Sequence, residues 1–210
     1  MKIKWLGHAS FFIETSTGVK IVTDPYDGVG LKFPNVAADI VTVSHDHFDH
    51  GATKFVKGKF TVVNKPGAQT VSGVKITGVS AFHDERGGKD RGANIMFVIE
   101  ADDVRLCHAG DLGHQLNPQQ IDSLGRVDVL LLPVGGAFTL DAAGATKLIQ
   151  TIKPRIAIPM HYRIPGLSLN VSDASAFTAG KQVKKADEIA VDAASLPPPT
   201  QVVVLAPKHG

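Results

Sequence analysis

Three histidines and two aspartates fall within six consecutive positions, 45–50, and Gly51 follows directly. Imidazole nitrogens suit zinc and other late divalent ions, and a carboxylate adds a hard, anionic ligand. The segment comes after an apolar run at 40–44 that predicts a strand. A loop at the end of a strand can turn several side chains toward one point, whereas neighbours within a strand alternate between its faces. The pattern His-x-His-x-Asp-His therefore indicates a metal-binding loop, with a polar surface turn as the alternative.

This segment resembles the metal-binding motif of the metallo-β-lactamase superfamily, in which it follows a strand and supplies ligands to two metal ions. Four other stretches carry the resemblance further: 6–11 (LGHASF), 23–25 (TDP), 110–114 (GDLGH) and 133–136 (PVGG). They are similar to the branch that contains L-ascorbate-6-phosphate lactonase and many zinc-dependent hydrolases. The likeness extends over residues 2–205. It implies a mixed α/β fold, a four-layer αββα sandwich, formed by a single domain at 1–210.

The resemblance also implies seven metal ligands, which occur along the chain in the order that the family uses. The first ion would bind His45, His47 and His83, the second would bind Asp49, His50 and His161, and Asp111 would bridge both. Asp49 and Asp111 are the implied catalytic residues. Position 47 is His and not Glu, which argues against the redox-active di-iron branch of the superfamily.

The implied cofactors are two divalent metal ions per chain, zinc first, with manganese or iron as alternatives. A bound divalent ion can lower the pKa of its water from 15.7 to about 7, and a pair of ions can hold hydroxide between them. The sequence thus predicts a hydrolase that uses a metal-bridging hydroxide on a small lactone, ester or phosphodiester. A lactonase comes first because of the branch that the chain resembles.

The predicted substrate is a small anionic molecule. Arg86 and Arg91 lie in a glycine-rich loop directly after His83, where guanidinium groups could bind a phosphate or carboxylate. This loop is either a mobile lid or a solvated surface loop. Further substrate-binding candidates are His8, His114 and Tyr162, each with a structural role as the alternative.

Asp24, in the TDP stretch, has two possible roles that the sequence leaves open. A carboxylate can orient a ligand imidazole by accepting a hydrogen bond from its second nitrogen. Alternatively, Asp24 caps its own turn.

Two rival functions stay open at this point. One is a metal-dependent nuclease or phosphodiesterase acting on RNA or DNA. The net charge of +2, from 22 basic and 20 acidic residues, argues against nucleic acid as a partner, and the short segment between the first motif and His83 leaves no room for an RNA-gripping arm. The other rival is a non-catalytic metal-binding protein, for which a complete two-metal ligand set has no obvious use.

Composition sets the remaining expectations. With 43% hydrophobic and 20% charged residues, the chain is typical of a folded, soluble domain. No apolar run approaches the roughly 18 residues of a membrane span, so no membrane partner is expected. The single cysteine excludes an internal disulfide and favours a reducing, cytoplasmic location.

The elements that must position these residues are mostly strands in the first half of the chain. The first three predicted strands, at 2–6, 11–14 and 20–23, suit an antiparallel meander, and the run at 127–133 predicts a strand buried on both faces. A first helix is predicted after Asn117-Pro118, a second from a Thr139 cap to Pro154, and a third over 172–185. This order predicts two sheets packed face to face and covered by helices.

Overall fold

Two β-sheets face each other in the computed structural model, which describes residues 1–209; the end of the predicted domain, Gly210, lies outside the described residues. The strands are β1 (Lys2–Gly7), β2 (Ser10–Glu14), β3 (Lys20–Thr23), β4 (Ile40–Thr42), β5 (Thr61–Val63), β6 (Gly67–Val71), β7 (Val74–Phe82), β8 (Ala93–Ala101), β9 (Val104–His108), β10 (Val129–Pro133), β11 (Ile156–Met160), β12 (Val183–Ala186), β13 (Ile189–Ala190) and β14 (Gln201–Leu205). The helices are α1 (Pro118–Leu124), α2 (Ala142–Ile152) and α3 (Ser175–Thr178), with 3₁₀ turns at Thr53–Phe55 and Ala193–Ser195.

The first sheet has the strand order β13-β1-β2-β3-β4-β5. Its β1, β2 and β3 form the antiparallel meander that the sequence predicts, and β4 and β5 then continue the sheet in parallel with β3. The second sheet has the order β12-β14-β11-β10-β9-β8-β7-β6. It is antiparallel from β6 to β9 and parallel from β9 to β12.

The core lies between the two sheets and under the helices. Trp5, Phe11 and Ile13 are fully buried on the first sheet, and Phe97 is fully buried on the second. All five residues of β10 are buried, which confirms the prediction of a strand covered on both faces. The expected sandwich class is confirmed, with few and short helices: 7, 11 and 4 residues within 1–209.

Two helix predictions need correction. The predicted third helix, 172–185, is wrong: α3 spans only Ser175–Thr178, Gly180 follows with a φ of +70°, and β12 then pairs with β14. The second helix begins at Ala142 and not after Thr139, because the Asp141 side chain accepts the cap hydrogen bond from the Gly144 N–H. The first helix follows its prediction, with Asn117 and Gly125 as its caps.

The strand directions gather one set of loops at one edge of the sandwich. Strands β1, β3 and β4 run the same way in the first sheet, and β7, β9 and β11 run the same way in the second. Their carboxyl ends therefore lie at common edges, which is where open α/β sheets hold ligands. The candidate residues follow these ends: His8, Asp24, the 45–50 segment, His83, Asp111 and His161.

Two glycines let these loops approach closely. A Cβ at Gly113 would collide with the backbone of His83, and a Cβ at Gly135 would collide with the carbonyl oxygen of His161. Both glycines belong to stretches that carry the family resemblance. Their role is steric: each leaves room for the backbone of a neighbouring candidate ligand. None of the helices within residues 1–209 is long and apolar enough to cross a membrane.

Candidate metal centre

One set of donor atoms comes from three histidines. Ring nitrogens of His45, His47 and His83 all lie within 4.8 Å of one another. His47 is exposed, whereas His83 is only 3% exposed. The set therefore lies at the surface on its His47 side and is closed on its His83 side.

A second set has four members. Two belong to the 45–50 segment, and the other two come from distant loops. Donor atoms of His8, Asp49, His50 and His161 lie within 4.8 Å of one another. The three imidazoles are buried, and the Asp49 side chain is 13% exposed. This set is the more enclosed of the two.

Asp111 lies between the two sets. Its Oδ2 is 3.1 Å from His83 Nε2 in the first set, and 3.2 Å from both His50 Nε2 and His161 Nε2 in the second. The carboxylate is 2% exposed. Asn94 fixes its backbone, because the Asn94 Oδ1 accepts a hydrogen bond of 3.0 Å from the Asp111 N–H.

The donor set fits divalent metal ions. Two ligands bound at 2.0–2.1 Å to one tetrahedral ion lie roughly 3.3 Å apart, close to the 3.1–3.2 Å that separates Asp111 from its neighbours. Charge-assisted hydrogen bonds between nitrogen and oxygen are shorter, at about 2.7–2.9 Å. In addition, His45 Nε2 and Asp111 Oδ1 are buried with no hydrogen-bond partner in the described chain, which is costly unless a ligand satisfies them.

The two donor sets and Asp111 form one cluster, in which the pKa values of several groups depend on their neighbours. Burial alone would lower the pKa of His50, but Asp111 and then Asp24 raise it well above its ordinary value. Burial alone would raise the pKa of Asp111, but His161 and His50 hold it well below its ordinary value. Burial, followed by repulsion from His50, lowers the pKa of His45 to about 3. A divalent ion bound among these residues would compete with a proton on His50, because both are cations attracted by Asp111.

Asp24 orients His50. Its Oδ2 accepts a hydrogen bond of 2.9 Å from His50 Nδ1, so that His50 Nε2 faces Asp111. Ser44 donates to the same carboxylate from its backbone N–H at 2.8 Å and from its hydroxyl at 2.5 Å. Of the two roles left open by the sequence, these contacts favour the first: Asp24 orients the imidazole of His50, a candidate metal ligand.

The loop after His83 is organised around one side chain. Asp84 accepts hydrogen bonds from the backbone N–H groups of Arg86, Gly88, Asp90 and Arg91 at 2.8–3.0 Å. Burial raises the pKa of Asp84, but these four donors outweigh it and lower the value to about 2. The loop is therefore internally braced by a carboxylate.

The two predicted arginines of this loop occupy different places. Arg86 is 68% exposed and forms an ion pair of 2.9 Å with Asp90, so the structure does not bring it to the cluster. The Arg91 guanidinium lies 4.7 Å from the centre of the Phe138 ring. Arg91 also lines two cavities, of about 350 Å³ beside His83 and of about 500 Å³ beside His45 and His47.

Of the other three substrate-binding candidates, one lies among the donor atoms and two make contacts elsewhere in the protein. His8 joins the second donor set. Both ring nitrogens of His114 form hydrogen bonds with the backbone: Nε2 accepts from the Phe82 N–H at 3.1 Å, and Nδ1 donates to the Gln115 carbonyl at 2.8 Å. Tyr162 is 6% exposed and packs on Trp5 with ring centres 5.0 Å apart. These contacts give His114 and Tyr162 structural roles.

Sequence reasoning missed Ser44 and Asn94. The Ser44 hydroxyl lies 2.8 Å from His45 Nδ1. Because Ser44 comes directly before the 45–50 segment, its position in the sequence is sufficient to suggest such a contact. Asn94 lies far from the motif in the chain, on β8, and nothing in its local sequence marks it. Only the pairing of β8 with β9 brings it to Asp111.

The chain is similar to known proteins over most of its length. A sequence model of the family described as "Beta-lactamase superfamily domain" matches residues 2–161. A metal-dependent hydrolase of Archaeoglobus fulgidus is 34% identical, over 77% of this chain and 83% of the relative. A crystal structure from Thermotoga maritima, assigned to the zinc-dependent hydrolases of the metallo-β-lactamase superfamily, is 40% identical with a TM-score of 0.81, over 97% of both chains. A metallo hydrolase of Ignicoccus hospitalis, 23% identical over 100% of this chain and 96% of its own, shares the fold with a TM-score of 0.65.

Replacement of Asp24 tests the role of its hydrogen bond. Asp24→Asn should weaken zinc binding by about 10–100-fold, because the neutral amide no longer favours a His50 ring that faces the cluster. Chelator-competition titration measures this affinity. Asp128→Asn is the matched control: Asp128 is also buried, at 2% exposure, but its carboxylate accepts from the Arg105 N–H. Equal zinc affinity of Asp24→Asn and wild type would contradict the role.

Proposed function

The chain belongs to the metallo-β-lactamase superfamily, and on that premise we propose that it is a hydrolase that uses two divalent metal ions to cleave a small anionic lactone, ester or phosphodiester. The observation that carries the proposal is the position of Asp111. One oxygen of this buried carboxylate faces His83 of one donor set together with His50 and His161 of the other. A short carboxylate shared by two ligand sets is suited to a pair of ions.

The residues present would hold one ion at each set. His45, His47 and His83 supply three imidazole nitrogens, and Asp49, His50 and His161 supply a carboxylate with two imidazoles. Asp49 and Asp111 bring two negative charges, which offset part of the positive charge of two cations. Bound divalent ions supply the chemistry itself: they activate water near neutral pH and polarise a carbonyl or phosphoryl oxygen. Zinc suits this nitrogen-rich set best, and manganese or iron are the alternatives.

The open side of the centre gives the route for substrate. His47 is exposed, and the cavities beside the first donor set measure about 350 and 500 Å³. Volumes of this order accommodate a small molecule. Because the second set is buried, a substrate reaches the centre from the His47 side.

Arg91 supports an anionic substrate. It lies between the two cavities, with its guanidinium over Phe138 and its backbone fixed by Asp84. A guanidinium presents parallel donors to a phosphate or carboxylate, and one held on an aromatic ring loses less conformational freedom on binding. The substrate would then carry an anionic group away from the bond that is cleaved.

Metal removal and replacement of His83 test the hydrolase proposal. We expect the zinc-loaded protein to hydrolyse at least one member of a panel of phosphorylated lactones, carboxylate esters and phosphodiesters. Chelation should abolish turnover, and added zinc should restore it. His83→Ala should lower kcat by at least about 100-fold with unchanged circular dichroism, because it removes one ligand of the first set. Turnover that survives chelation, or a panel without any substrate, would contradict the proposal.

A substrate pair that differs only in charge tests the role of Arg91. Arg91→Ala should lower kcat/KM for the anionic member by about 10–100-fold, as expected for a lost charge-assisted hydrogen bond of about 1–3 kcal/mol. The neutral member should be unaffected. Lys89→Ala is the control, because Lys89 is an exposed cation of the same loop. Equal losses on both substrates would assign Arg91 to loop structure and not to substrate charge.

A further inference from the structure

His8 lies outside the seven-ligand set, yet its side chain is directed into the metal centre. It sits in the turn between β1 and β2 and is completely buried. Its Nε2 is 3.2 Å from Asp49 Oδ2 and 3.2 Å from His50 Nε2, and its ring centre is 4.4 Å from that of His161. The ring therefore faces three members of the second donor set at once.

These separations are those of ligands around a shared ion. The Nε2 atoms of His8 and His50 point at each other. In the same way, the Nε2 atoms of His50 and His161 point toward Asp111. Neighbouring donors bound at 2.0–2.1 Å to one four- or five-coordinate ion lie roughly 2.9–3.5 Å apart. The 3.2 Å spacings of His8 match those that join Asp111 to the recognised ligands.

The polar contacts of His8 argue against a purely structural ring. A buried structural histidine uses its ring nitrogens in hydrogen bonds to the protein, as His108 does with the Ala9 carbonyl at 2.8 Å. The Nδ1 of His8 is buried without a hydrogen-bond partner within residues 1–209, a property that it shares with the Nδ1 atoms of the candidate ligands His83 and His161. All polar contacts that the described chain gives this ring are with members of the second set.

The backbone holds His8 in a costly conformation. Its φ is +51°, in the left-handed region that side chains with a Cβ rarely adopt. Two hydrogen bonds to its carbonyl fix the turn, one from Trp5 Nε1 and one from the His161 N–H, both at 3.0 Å. Such strain persists where the surrounding structure determines it, and it accumulates at functional sites.

We propose that His8 is a ligand of the ion held by Asp49, His50 and His161, an inference that rests on the metal centre proposed above. The second site then has four protein donors of its own besides Asp111, whereas the first has three. The two sites become unequal: the second is enclosed and holds its ion more tightly. The first, with the exposed His47, keeps the position that water and substrate can reach.

The test uses the metal alone, so that it does not depend on turnover. His8→Gly suits the φ of +51° and should fold, because glycine adopts this conformation freely. We expect wild type to bind two equivalents of zinc, one tighter than the other. His8→Gly should weaken the tighter equivalent by at least about tenfold and leave the other within about threefold. Free imidazole, which fits the space that the side chain leaves, should restore the lost affinity.

Cobalt-loaded protein separates direct ligation from an indirect effect. Proton NMR of wild type should show one more paramagnetically shifted imidazole N–H signal than His8→Gly. His114→Ala is the control for loss of an imidazole outside the cluster, and its zinc titration should match that of wild type. Unchanged affinity in His8→Gly, or an unchanged number of shifted signals, would overturn the assignment of His8. A failure of the hydrolysis panel would contradict the proposed function and leave this result unaffected.

Discussion

A single buried carboxylate imposes the main constraint on this structure. Asp111 is 2% exposed, and a desolvated negative charge is unfavourable unless cations or hydrogen-bond donors surround it. Its neighbours are imidazoles from three separate loops, contributed by His50, His83 and His161. Because no short segment can supply all three, both sheets must place their carboxyl-terminal loops at one edge. The sandwich is the scaffold that meets this requirement.

The polar network around the centre extends that constraint outward. Asn94 fixes the backbone of Asp111, and Asp24 fixes the ring of His50 while accepting two hydrogen bonds from Ser44. Gly113 and Gly135 have no Cβ and so leave room for the backbones of His83 and His161. Each of these residues affects a candidate ligand by fixing its position. Together they hold the donors before any ion is bound, which reduces the ordering that metal binding must impose.

The sequence predicts the features that depend on neighbouring residues and misses those that depend on contacts between distant segments. The motif at 45–50, the meander and the doubly buried β10 are readable because each depends on neighbouring residues. The pattern at 172–185 is misleading, since pairing of β12 with β14 overrides the helical propensity of that stretch. Similarly, the position of His8 in the second donor set depends on the packing of the turn after β1 against His161. The bracing of the loop by Asp84 also escapes a reading based on composition, because its glycines and charges suggest mobility.

We have proposed that two ions bind at one centre with Asp111 between them. Anomalous diffraction from crystals of the zinc-loaded protein, recorded on both sides of the zinc absorption edge, tests it most directly. Two anomalous peaks are expected, one within bonding distance of His45, His47 and His83, the other within bonding distance of Asp49, His50 and His161. Both peaks should also contact the Asp111 carboxylate. A single peak at full zinc loading, or two peaks of which one does not touch Asp111, would contradict it.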